Sequence, residues 1–127
     1  MRAIDTNVLV RLLTRDHERQ FAAADRYVKG GAWVPTLAIA EAAWVLARTY
    51  GLDREALADA VEMLLGAETL VFQDRDSVEG ALAIFQARPS LGFSDCLMLA
   101  GARQTGHLPL GTFDKRLAAI DGAERIL

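Results

Sequence analysis

The spacing of glycines limits the fold of this chain more than any other feature. Gly30-Gly31, Gly51, Gly66, Gly92, Gly106, Gly111 and Gly122 cut it into short apolar bursts and longer amphipathic runs. Several follow helix-like runs directly, where a left-handed closing residue is expected. The bursts read as strands over 2–4, 32–34, 69–72 and 108–110, with a weaker one over 124–126. The runs read as helices over 7–14, 18–29, 37–50, 54–65, 78–87 and 95–104, with Asp53 and Ser94 suited to N-cap two of them. In 54–65, Leu57, Val61, Leu64 and Leu65 make an apolar stripe, and Glu55, Asp59 and Glu62 line the opposite face. Strands alternating with helices predict an α/β layer with a mostly parallel sheet. No repeat, low-complexity tract or linker interrupts the pattern, so 1–127 is expected to be one domain.

Composition removes several function classes. A chain of 127 residues, 52% hydrophobic and 24% charged, has the make-up of an ordinary globular protein. Its longest apolar stretch, 37–47, is 11 residues long and contains Glu41; a membrane span needs about 18 or more. Residues 1–5 lack the apolar core of a secretion signal. The single cysteine, Cys96, can form neither an internal disulfide nor a cysteine-based zinc site. It reads as a small buried hydrophobe, and a reduced, cytoplasmic setting is expected. A net charge of −3, from 14 basic and 17 acidic residues, argues against gripping nucleic acid through bulk positive charge.

Four of the 17 acids stand among apolar neighbours. Asp5 lies between Ala3-Ile4 and Val8-Leu9-Val10, at the end of the first expected strand. Glu41 shares a helical stripe with Leu37 and Trp44. Asp95 opens a helix that continues Cys96-Leu97-Met98-Leu99, and Asp114 follows Leu110-Gly111-Thr112-Phe113. Taken singly, Asp5 has a helix cap as its alternative use, Ser94-Asp95 reads as a normal helix start and Asp114 as a loop acid. A mid-helix acid on an apolar stripe has no such reading. Burying unpaired carboxylates costs several kcal/mol each, of order, even after relaxation. A hard divalent cation would offset that cost, because Mg²⁺ and Mn²⁺ prefer carboxylate and water oxygens. Ligands of open parallel sheets bind beyond the carboxyl ends of the strands, where Asp5 and Asp114 are expected.

Four segments containing these acids resemble, in order, the motifs of the PIN-domain ribonucleases, and within them the VapC toxins of toxin–antitoxin pairs. They are Ile4-Asp5-Thr6-Asn7-Val8-Leu9, Ile39-Ala40-Glu41-Ala42-Ala43-Trp44-Val45-Leu46, Phe93-Ser94-Asp95-Cys96-Leu97-Met98-Leu99-Ala100 and Gly111-Thr112-Phe113-Asp114-Lys115-Arg116-Leu117. Cys96 stands where the family varies. The resemblance implies a three-layer α/β/α PIN-like domain with a mostly parallel sheet of about five strands. It also implies an endoribonuclease dependent on Mg²⁺ or Mn²⁺, a small VapB-like antitoxin as partner, and homodimers. Carried across, Asp5 and Asp95 are the principal metal ligands, Glu41 and Asp114 complete the acidic cluster, and Thr6, Asn7, Ser94 and Thr112 position ligands or water.

The chemistry implied is metal-assisted hydrolysis of an RNA phosphodiester. Neither His17 nor His107 lies within the four motifs, which disfavours a metal-free ribonuclease built on histidine acid–base pairs. Without the four acids the balance is 14 basic to 13 acidic, or +1, so substrate phosphate would be held locally. Arg11, Arg15 and Arg19 recur at helical spacing, and Lys115-Arg116 follow Asp114; each group reads equally as solvated surface or as an RNA contact. Trp33, Trp44, Tyr27, Tyr50 and the alanine-rich 36–50 segment are expected to pack in the core, the alternative being a groove for an antitoxin segment. Two other functions stay open. One is a PIN fold that has lost catalysis and only binds. The other is a phosphoacceptor receiver-like domain, which would need adjacent acids after the first strand, where this chain has Asp5-Thr6-Asn7.

Overall fold

The computed structural model describes residues 1–127. The chain divides into two compact units, Met1–Arg75 and Asp76–Leu127. In the first, β1 (Arg2–Ala3), β2 (Ala32–Val34) and β3 (Leu70–Phe72) form a parallel sheet in the order β1-β2-β3. Parallel neighbours need long crossovers. Here α1 (Thr6–Thr14) and α2 (Glu18–Val28) make the first, and α3 (Thr36–Arg48) and α4 (Arg54–Gly66) the second. Gly31, at φ +99°, takes the chain from the end of α2 into β2 through a backbone conformation other residues avoid. Asp53 caps α4 as expected, accepting from the Ala56 N–H at 2.8 Å. Leu57, Val61 and Leu64 face inward from that helix, and with Leu9, Val34, Ile39 and Leu46 they form the core of this unit.

The second unit holds most of α5 (Arg75–Ala87), with α6 (Phe93–Gln104), β4 (Leu110–Thr112), α7 (Lys115–Ala118) and β5 (Ala123–Arg125). The strands β4 and β5 pair in parallel and form a separate two-stranded sheet, so every strand pairing within each unit is parallel. Between α5 and α6, Gly80 lets the backbones approach: a Cβ there would stand 3.4 Å from that of Ala100. Val78, Leu82, Phe85, Leu99 and the fully buried Cys96 fill the core, which bears out the reading of Cys96 as a small hydrophobe. No helix is long and apolar enough to cross a membrane.

Several local expectations shift. The fourth strand begins at Leu110 rather than 108, because Pro109 has no N–H to give to a ladder. Helix α6 starts at Phe93 with Gly92 as N-cap, so Ser94 is not a cap. The two extra residues at the start include Phe93, whose ring stands edge-on against Phe85 with centroids 5.6 Å apart. Trp44 is not a core residue: it is 60% exposed, and Leu37 is 68% exposed. Ala38, Ile39, Ala42, Ala43 and Leu46 form the buried face of α3 instead.

Candidate active site

The first unit brings two of the four motifs together. The Ile4 N–H donates to the Trp33 carbonyl at 3.0 Å, which keeps the chain alongside β2 past the end of β1. Asp5 then turns it into α1 and caps that helix, its Oδ1 accepting from the Val8 N–H at 3.2 Å. That leaves Oδ2 without a protein partner. One residue on, the Thr6 hydroxyl donates to Oε2 of Glu41 at 2.8 Å, joining the start of α1 to the middle of α3. The amide of Asn7, exposed on α1, has no partner in the protein.

A residue with no sequence signal beyond being the first polar one after β3 anchors the other end of this arrangement. The Gln73 N–H donates to the Val34 carbonyl at 2.9 Å, and its Oε1 accepts from the Thr36 N–H at 3.0 Å. Pro35, the N-cap of α3, has no side-chain acceptor to offer, so Gln73 supplies the cap from the turn just after β3. The start of the helix that carries Glu41 is thereby tied to the carboxyl end of the sheet.

In the second unit, Asp95 lies in the first turn of α6, partly buried, and its carboxylate accepts no hydrogen bond from the protein. Ser94 beside it is exposed. The Thr112 hydroxyl at the end of β4 accepts from the Asp114 N–H at 3.0 Å. Asp114 caps α7, its Oδ1 accepting from the N–H groups of Arg116 at 2.7 Å and Leu117 at 3.3 Å. These two bonds hold its carboxyl below the usual carboxylate range; partial burial opposes them, and the Arg116 guanidinium, 3.8 Å away, assists.

Asp5 and Glu41 are exposed, so their apolar neighbours in sequence are not their neighbours in space, and no desolvation cost requires compensation there. What distinguishes these acids is that they lack counter-charges. Neither Asp5, Glu41 nor Asp95 is paired with an arginine or lysine, in contrast to Asp16, which has Arg11 at 3.4 Å. Each carboxylate oxygen left without a donor is a hard ligand of the kind Mg²⁺ and Mn²⁺ prefer, so the donor chemistry fits such an ion. No group of three or more His, Cys, Asp or Glu side chains gathers where it could hold a metal ion.

The basic candidates separate by their environment. Arg11 is committed to the protein, its Nε bonded to Gln20 Oε1 and its Nη1 to Tyr50 Oη at 3.0 Å and Asp16 Oδ1 at 3.4 Å. Arg15, the left-handed C-cap of α1, lies over the Phe21 ring at 4.5 Å. Lys115 and Arg116 are exposed. Neither histidine stands among the motif residues: His17 caps α2 through Nδ1, and the His107 ring bonds Thr105.

No curated protein and no solved structure matches the chain. The family model for the PIN domain matches residues 3–123, a span that contains all four motif acids. With parallel strands joined by helical crossovers and its acids following β1 and β4, the chain belongs to the PIN domain family.

Proposed function

We propose that this chain is an endoribonuclease dependent on Mg²⁺ or Mn²⁺, and the toxin of a VapBC-type pair. PIN domains are in general nuclease folds that use divalent metals. The observation that carries the reading is the 2.8 Å bond from Thr6 to Glu41, which fixes one acid beside the element capped by another. Neither acid, nor Asp95, is neutralised by a basic residue.

In this reading Asp5, Glu41, Asp95 and Asp114 hold the ion, and the two units act as one domain. When bound, the ion supplies a Lewis acid that lowers the pKa of water and screens the charge gathering on the phosphate. The residues of the chain do the rest. Thr6 limits the freedom of the Glu41 side chain, Gln73 holds the helix beneath it, and the α1 cap sets the Asp5 carboxylate. Asn7, Ser94 and Thr112 are polar groups available to orient water and phosphate oxygens. The substrate is RNA and the setting cytoplasmic. The exposed Leu37 and Trp44 on α3 support a protein partner, a VapB-like antitoxin or a second copy of the chain.

The test is cleavage of RNA by the purified chain with Mg²⁺, with EDTA, and after Asp5→Asn or Asp95→Asn. Cleavage should require both the ion and the acids, and cleavage that survives EDTA and both substitutions overturns the reading. Growth arrest on expression, relieved by the adjacent open reading frame, is the result expected of a toxin. Equal harmlessness of wild type and Asp5→Asn removes that part.

A further inference from the structure

Beside the Asp5 cap, α1 and α2 border an open groove of about 380 Å³, lined by Asn7, Val8, Arg11, Gln20, Ala23 and Tyr27 among others. One wall residue, Val8, donates its N–H to the Asp5 carboxylate, which ties this wall to the first motif acid. Arg11 is committed to Gln20, Tyr50 and Asp16, but some hydrogen-bonding capacity remains in the lining. The Asn7 amide has no protein partner, and Gln20 uses its Oε1 on Arg11 but leaves its amide nitrogen free. Arg11 leaves Nη2 without a partner. Tyr27 adds an aromatic ring, and the guanidinium of Arg2, 3.6 Å from the ring centroid, is not among the groove's lining residues.

Gln20 and Ala23 also line a second, open groove of about 520 Å³, whose other walls are His17, Arg19, Ala22 and Arg26. The two hollows therefore share a wall at Gln20 and Ala23. Neither contains a carboxylate among its lining residues, although the chain has 17 acids and 14 bases. A run of amides and an aromatic leading into a cationic trough matches what a single nucleic acid strand requires. The amides and ring receive a base, and the arginines receive the phosphates that follow it.

We infer that the α1–α2 groove binds a nucleobase of single-stranded RNA, with the neighbouring phosphates lying along Arg19 and Arg26. The identity of the ligand rests on the ribonuclease reading. The subsite itself rests on the lining residues. Asn7 and Gln20 present donors and an acceptor to the edge of the base, and Tyr27 presents a surface for stacking. The groove makes this chain selective for the base next to the cleaved bond.

The experiment is binding without turnover. The four nucleoside 5′-monophosphates, and a short single-stranded RNA, are titrated in EDTA while backbone amide resonances are followed. Shifts centred on Val8, Gln20 and Ala23 are expected, with one base favoured. Ala23→Phe, which fills the hollow from an exposed helix position, should weaken nucleotide binding by about tenfold or more and erase base preference in cleavage. If that variant does not fold, Gln20→Leu makes the same test. Arg19→Ala with Arg26→Ala should weaken the RNA far more than the mononucleotides and flatten the salt dependence. RNA that is cleaved with Mg²⁺ while no nucleotide shifts these amides overturns the subsite and leaves the nuclease reading intact. So does an Ala23→Phe chain that binds and cleaves like wild type but no longer binds a protein partner. Nucleotides that bind here in a chain that cleaves nothing uphold the subsite and overturn the nuclease.

Discussion

Replacing Thr6 by Val removes one hydroxyl and little else, and it isolates the contact on which the active-site reading depends. Glu41 is exposed on α3, and an unrestrained glutamate carries about 1.5–2 kcal/mol of rotamer entropy. The 2.8 Å bond from Thr6 has already removed part of that freedom before any ion arrives. Taking about half of it gives ~1 kcal/mol, or roughly fivefold in ion affinity. The cost to folding is smaller, because both groups reach solvent and Val is tolerated at the first helical position; a change within about 0.5 kcal/mol is expected. The assay is the Mg²⁺ dependence of RNA cleavage together with thermal unfolding. Half-saturation should rise about fivefold at nearly constant Tm, and Thr6→Ser, which keeps the hydroxyl, should restore it. Unchanged Mg²⁺ dependence in Thr6→Val, or an equal loss in Thr6→Ser, refutes the claim that this hydroxyl positions Glu41.

Three further expectations concern folding. Asp53→Ala removes the cap from the Ala56 N–H and should cost about 1 kcal/mol in denaturant unfolding. Leu9→Ala, at a fully buried position, should cost about 3–5 kcal/mol, and a value near zero would show that α1 is not packed as described. Asp16 is held below its ordinary value of 3.8 by hydrogen bonds from Thr14 and Tyr50 and by the charge of Arg11. A depressed folded pKa stabilises above the unfolded value and is lost as pH falls through the folded one. Tyr50→Phe should therefore lower Tm at neutral pH, and the gap from wild type should close below pH 3.8; a gap that widens in acid contradicts the assignment.

Where local chemistry acts alone, the sequence was legible. The strand Ala32–Val34 was read at its observed bounds, since it is a short apolar burst between a glycine pair and a proline. The Asp53 cap was visible because an aspartate preceding an amphipathic run has one dominant use. Helix α3 shows the opposite case. It carries apolar residues on two faces, so periodicity marked a stripe through Leu37, Glu41 and Trp44 without showing that it faces outward. Tertiary packing of Ala38, Ile39 and Ala42 decides that, and with it the exposure of Glu41. The short α7 was missed because four residues carry no period; its one signal is Asp114 followed by the N–H groups it caps. Gln73 was missed for a similar reason. Its part in holding α3 exists only once β2 and β3 are paired.

The central claim is that Asp5, Glu41, Asp95 and Asp114 serve one divalent centre. It is tested most directly by calorimetric titration of Mn²⁺ into wild type and into Asp5→Asn, Glu41→Gln, Asp95→Asn and Asp114→Asn, each checked for unchanged folding. Every one of the four substitutions should weaken the same binding event, with Asp5→Asn and Asp95→Asn weakening it most. Wild-type affinity retained after the changes in one unit, or no Mn²⁺ binding by wild type at all, contradicts the account.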